Sequence, residues 1–219
     1  MIREGVPPGK YLVRVTWDGN MQNTSAQLTR SDKAWFAPLE DVVGLLKDRK
    51  AYLDGIGFNA KQVGEARPGE YDIVVYRTED VKASLVAGTK ENVVAEAKNN
   101  IYFKEFATEP KEFWDKVFDI DFEPHLKQMK ARNIDFDRPN DYLDTLPPNM
   151  REPMRARILM FTKMGANEHY SGKGYTLSPD KVDAGGRVLT EAERIRVREY
   201  LIDNQKIVDS PPHIIIKIR

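Results

Sequence analysis

The residues that most invite a chemical reading are acids. Asp119, Asp121, Asp135, Asp137, Asp141 and Asp144 fall within 26 residues. The segment Ile120-Asp121-Phe122-Glu123-Pro124 is echoed as Ile134-Asp135-Phe136-Asp137, with Pro139 close behind. Carboxylates at alternating positions suit hard cations, which take oxygen ligands. A metal-dependent hydrolase built on Asp119, Asp121, Asp135 and Asp137 is therefore one expectation. The calcium-loop template fails, however. Counted from Asp135, it meets Pro139 at position five, Asn140 where glycine is required and Leu146 where a bidentate Glu belongs. The competing reading is structural, and we prefer it. Each acidic motif precedes a helical pattern, where Asp can accept a bond from an orphan amide and oppose the helix dipole. Ile120, Phe122, Ile134 and Phe136 then act as apolar anchors.

A second candidate lies in the glycine-rich stretch 165–188. Gly172-Lys173-Gly174 offers amides and a charge to an anion. It is not a P-loop, because Gly174 stands where Ser or Thr should follow the lysine. Tyr170 and Tyr175 flank Lys173, an arrangement able to stack on a single-stranded base. Arg187, Arg194, Arg196 and Arg198, with Lys217 and Arg219, form a local basic group, but Glu191, Glu193 and Glu199 are interleaved. Mixed signs favour an ion-paired face over a nucleic-acid footprint. A nucleic-acid accessory role using Lys173, Tyr175, Arg194 and Arg198 thus stands as an alternative.

The remaining nucleophile and ligand types give less. His125, His169 and His213 are isolated, and His169 alone adjoins an acid, Glu168. GxSxG and GxGxxG are absent. The absence of cysteine removes thiol nucleophiles, thiolate zinc sites and disulfides. Lys and Arg total 34 against 34 Asp and Glu, so no global pull toward polyanions is expected. No cofactor is expected.

These residues need elements to hold them. Tyr11–Asp18 alternates as a half-buried strand, and Glu70–Arg77 is apolar on both faces, as a central strand is. Pro38–Asp54 has a helical apolar stripe, and Asp80–Val86 and Glu91–Lys98 read as helical turns. Ile101–Phe106 reads as a third strand. Helices are expected over 110–118, 122–132 and 150–164, with Gly165 just past the last. Thr190 to Glu193 matches a capping box and predicts a helix to about Gln205. Residues 213–219 end the chain in an alternating strand that must return to the N-terminal sheet or pair with another chain.

The fold expected is α+β: residues 1–107 as a sheet-containing lobe, and 108–219 as a mainly helical lobe with the 165–188 loop and the final strand. The function expected is non-enzymatic: an interaction or assembly subunit, of a virion or another large complex. Its partner is protein, either self or other subunits. The contact residues expected are Ile214, Ile216 and Ile218, with Tyr170, Lys173 and Tyr175. Polar stretches 19–34 and 165–188 would be contact arms. No apolar run reaches the roughly 20 residues of a membrane span, and "MIREGVPPGK" has no signal-peptide core. A cytoplasmic setting, or a virion assembled there, is the expectation.

Overall fold

A computed structural model describes residues 8–17, 33–46, 71–177, 185–194, 196–203, 207 and 212–218. It has the expected α+β character. A six-stranded sheet runs in the order β4-β7-β2-β1-β3-β8, and every neighbouring pair is antiparallel. Its strands are β1 (Tyr11–Trp17), β2 (Lys33–Pro38), β3 (Tyr71–Arg77), β4 (Val86–Ala87), β7 (Tyr200–Asp203) and β8 (Ile214–Ile218). A second, two-stranded sheet pairs β5 (Tyr175–Leu177) with β6 (Arg196–Arg198). The main sheet therefore draws strands from both the first and the last quarter of the chain.

Strand alternation assigns the faces. Leu12 packs with Ala34, Phe36, Val74, Tyr76 and Ile202 on one face, while Val13 packs with Ala37, Ile73 and Val75 on the other. All of these are buried, at about 1.5–3 kcal/mol for a fully buried large aliphatic or aromatic side chain. β3 is buried on both faces from Ile73 to Tyr76: Val74 and Tyr76 join one cluster, and Ile73 and Val75 the other. The C-terminal strand does return to the sheet: Ile214 lies opposite Val75, and Ile216 opposite Ile73.

The helices are α1 (Leu39–Val42), α2 (Thr78–Val81), α3 (Lys90–Asn99), α4 (Lys111–Asp119), α5 (Phe122–Ala131), α6 (Asn140–Leu143) and α7 (Pro148–Lys163). α3, α4 and α7 enclose a core of Val93, Ala97, Phe113, Trp114, Val117, Ala156 and Met160, and Leu201 of the sheet joins it. α5, α6 and the other side of α7 enclose a second, with Phe122, Leu126, Met129, Tyr142, Leu143, Met154 and Ile158. Gly165 ends α7 with φ 68°, the left-handed value that favours glycine. No helix among the described residues is long and apolar enough to cross a membrane.

Four sequence expectations need correction. Ile101–Phe106 is a 3-10 helix, with Phe103 and Phe106 buried. Their three-residue spacing places both on one side of a 3-10 turn, whereas a strand would put them on opposite faces. The helix expected from Thr190 is a single 3-10 turn, Glu191–Glu193. Its capping box does form, but Arg194 is already extended, and β6 and β7 follow. Val197, Tyr200, Leu201 and Ile202 are aromatic or branched and find a sheet to enter. Pro38 does not open a long helix. It closes β2, a strand the sequence reading missed, and α1 ends at Val42; residues 47–54 lie outside the described residues. Tyr175–Leu177, expected within a loop, is strand β5.

Candidate functional site

The residues 196–203 run through both sheets. β6 belongs to the small sheet and β7 to the large one, with Glu199 between them. The Glu199 amide donates to the Gly174 carbonyl (2.9 Å), and its carbonyl accepts from the Gly88 amide (2.8 Å). Gly174 in turn donates to the Gly88 carbonyl (3.2 Å), and the Lys90 amide donates to the Gly172 carbonyl (2.6 Å). Gly88 must be glycine here: a Cβ would stand 2.8 Å from the Trp35 ring and 3.0 Å from the Glu199 carbonyl oxygen. Gly172 and Gly174 both have positive φ, and a Cβ on Gly172 would meet Phe118 at 2.6 Å. The glycines thus shape an arch that lets β5 lie against the start of α3.

This seam carries buried charge. Glu199 is 8% exposed and Arg157, on α7, 2%. Glu199 Oε1 accepts from the Thr176 hydroxyl, but Oε2 has no partner among the described residues. Arg157 Nη2 donates to the Asn167 carbonyl (2.7 Å) and its guanidinium lies 4.5 Å from the Phe122 ring centre, yet Nη1 has no partner. Burial pushes the Glu199 carboxyl up to about 7, against the opposing pull of the Thr176 hydroxyl and Arg157. Burial lowers Arg157 to about 10. Tyr170 is also buried. It donates to the Gly88 carbonyl (2.8 Å), and burial, then the neighbouring Glu199, holds its phenol well above the usual value.

Beside the seam lies a cleft of about 280 Å³. The α4–α5 turn supplies Phe118, Asp119, Ile120, Asp121, Phe122 and Glu123, and the facing wall holds Glu168, His169, Tyr170, Ser171, Leu177 and Arg194. His169 Nδ1 is 4.0 Å from Glu123 Oε2. Glu168 and His169, adjacent in sequence, thus share the cleft with residues of the first acidic motif.

No family model matches the chain, and no curated protein or solved structure is detectably similar to it.

The four acids of the metal alternative are not brought together. Asp119 and Asp121 line the cleft, while Asp135 accepts from the Asp137 amide (2.9 Å) and Asp137 pairs with Lys163 (2.7 Å). Among the described residues, no group of three or more acids or histidines is placed to hold a metal ion. The doubled motif does supply apolar anchors. Ile120 and Phe122 are buried in the second helical core, and Ile134 and Phe136 pack against it. Asp121 occupies the N-cap position of α5, as expected, but makes no side-chain capping bond, and Asp135 makes a local turn ahead of α6, whose N-cap is Pro139.

The nucleic-acid alternative fares as follows. Lys173 pairs with Glu191 (2.6 Å), which also accepts from the Tyr175 hydroxyl (2.9 Å). Tyr170 and Tyr175 are both buried. Arg198 is clamped by Asp41 and Glu40, its Nη2 2.8 Å from each, and bonding to Asp41 raises its pKa still further. Arg194 lines the cleft. Of the other histidines, His125 bonds the Tyr142 hydroxyl (2.6 Å) and His213 stacks on Tyr11.

The partner-binding candidates divide by position. Tyr170, Lys173 and Tyr175 belong to the seam. Ile214, Ile216 and Ile218 lie on β8, which ends the sheet. Ile216 packs inward, while Ile214 and its neighbour Ile215 are 49% and 43% exposed.

The sequence reading overlooked Arg157 and took Glu199 as part of an ion-paired face. A signal existed for each. Arg157 sits three residues after Met154 and beside Ile158, on the apolar stripe of α7, and Glu199 shares strand parity with Val197 and Leu201.

Proposed function

We propose that this protein is an assembly subunit that pairs with a second copy of itself through the edge of β8 that pairs with no strand among the described residues. The observation that carries this reading is an edge strand with Ile214 and Ile215 exposed side by side. Side chains adjacent in a strand point to opposite faces, so the edge is apolar above and below. Monomeric proteins usually guard such edges with charge, proline or a bulge; Ile214-Ile215-Ile216 carries none of these, and Lys217 is the strand's one charged residue.

A second copy suits the strand because its sequence is self-complementary about Ile216. In an antiparallel two-fold pair, Ile214 faces Ile218 and Ile215 faces Lys217. Lys217, the strand's single charge, then never meets its own copy, and like charges directly opposite are the arrangement to avoid. Backbone hydrogen bonds supply affinity, and the isoleucines supply register. The expected settings, a cytoplasmic assembly or a virion, belong to this reading.

Light scattering on the full chain tests it. The wild-type mass should be that of two chains, and Ile214→Lys with Ile215→Lys should reduce it to one. Because both positions are half exposed, the melting temperature should stay within the range of surface changes, roughly 0.5 kcal/mol each. A single-chain mass at millimolar concentration overturns self-pairing. So does a dimer that survives the double variant.

A further inference from the structure

We infer that Glu199 is a proton-controlled latch: with its carboxyl neutral, the β5–β6 pair and the Gly172–Gly174 arch stay closed on the helical body, and its ionisation releases them and opens the cleft wall formed by Tyr170, Ser171 and Leu177.

Glu199 ties three parts of the fold together. Its backbone joins Gly174 on one side and Gly88 on the other, and its side chain reaches Thr176 of β5. One residue thereby links the large sheet, the small sheet and the entry to α3. The isolated bridge between Thr89 and Lys173 and the bond from Lys90 to Gly172 complete the closure. Beyond this seam the same segment forms the cleft wall.

The environment does not compensate a negative charge. Among the described residues, the surrounding charged and titratable groups are Arg157 on α7, Tyr170 and Glu168 on the segment after it, and Glu91 on α3, whose charge is felt at Tyr170. Arg157 is the one cation among them, and it is held on the Asn167 carbonyl and the Phe122 ring. Glu199 Oε2 and Arg157 Nη1 are both buried without partners. An ionised Glu199 therefore keeps a desolvated oxygen as long as the seam stays shut, and opening the seam hydrates it. Such a penalty is largest where the charged form has fewest partners. The buried carboxyl titrates near 7, so the change falls within the physiological range.

Amide hydrogen exchange at pH 6 and pH 8, corrected for intrinsic exchange, tests the latch. A carboxyl at about 7 when closed and at its ordinary 4.5 when open makes opening about tenfold more frequent at pH 8. The rise should be confined to residues 170–177 and 196–199. Glu199→Gln should lose the pH response while folding normally. Thr176→Val removes a bond that favours the charged form, so its transition should move to higher pH. Unchanged protection in the wild type between the two pH values overturns the inference, as does an equal pH response in Glu199→Gln. Should that variant not fold, Thr176→Val decides, and an unmoved transition overturns the latch.

Discussion

Glu199→Gln should change how the stability of the whole protein depends on pH. Glu199 has its folded-state pKa raised to about 7 from an ordinary 4.5. Below pH 4.5 both the folded and the unfolded chain carry the proton, and the group makes no pH-dependent contribution. Between 4.5 and 7 the unfolded chain ionises while the folded chain holds its proton, so the unfolded state gains and stability falls. Above 7 both are ionised and the loss is complete. At 1.36 kcal/mol per pKa unit, the loss is about 3 kcal/mol. Glutamine cannot ionise, and its amide oxygen can still accept from Thr176. The difference in unfolding free energy between variant and wild type should therefore shift by about 3 kcal/mol in the variant's favour between pH 4.5 and pH 8. Urea unfolding followed by tryptophan fluorescence, repeated at half-unit pH steps, measures the difference directly. Two parallel stability curves across that range would refute the reasoning, because they would show that the folded protein pays no penalty for ionising Glu199.

Three further substitutions probe how the seam is built. Gly172→Ala should cost about 2 kcal/mol or more, since its φ of 72° is left-handed and the new methyl would meet Phe118 at 2.6 Å; a melting temperature equal to the wild type's would contradict this. Arg198→Ala should cost about 3 kcal/mol because it strands the Asp41 carboxylate, which is 9% exposed. Arg198→Lys should recover only part of that, because an ammonium cannot reproduce the fork that holds Asp41 and Glu40 together. Equal stability of the Lys variant and wild type, measured by urea unfolding, would count against the clamp.

The elements legible in the sequence are those whose local pattern agrees with their tertiary burial. β1 and β3 alternate or saturate with apolar residues, and both lie inside the sheet. α4 places Phe113, Trp114 and Val117 at helical spacing and buries all three. β8 reads as a strand because Ile214 to Ile218 has little else it could do, and β3 is there to receive it. The misread segments are those where local and tertiary preferences diverge. The capping box at Thr190 is real, with the Glu193 carboxylate 2.9 Å from the Thr190 amide. A cap, however, specifies only a first turn. It cannot say whether the residues beyond it will gain more by joining a sheet, and Tyr200 to Ile202 gain buried places in the sheet between β2 and β4. β2 was missed for a related reason: six residues ending in proline carry too little pattern to be told from a loop, and only pairing with β1 and β7 makes them a strand.

The seam was the least legible part, and the reason is general. Charge within a sequence window is ordinarily read as exposure, because burying an ion costs more than most local terms return. Arg198 and Glu199 are adjacent and opposite in sign, and a one-dimensional reading pairs them with each other or with solvent. Extended backbone sends them to opposite sides instead. Arg198 reaches Asp41, 157 residues away in the chain, and Glu199 turns inward to Thr176 with no cation bonded to it. The same alternation that gives one charge a complete clamp leaves its neighbour near Arg157 but not bonded to it. Distant partners such as Asp41, Gly88 and Arg157 set these environments, so short-range spacing could flag the residues but could not say which of the two charges would be satisfied. An unsatisfied buried carboxyl persists only where the surrounding contacts outweigh its cost. Here those contacts are the backbone bonds that join Glu199 to Gly88 and Gly174, which favour the closed seam while the ionised carboxylate favours an open one. That opposition between a well-bonded backbone and a poorly bonded side chain is what makes the seam sensitive to a single proton.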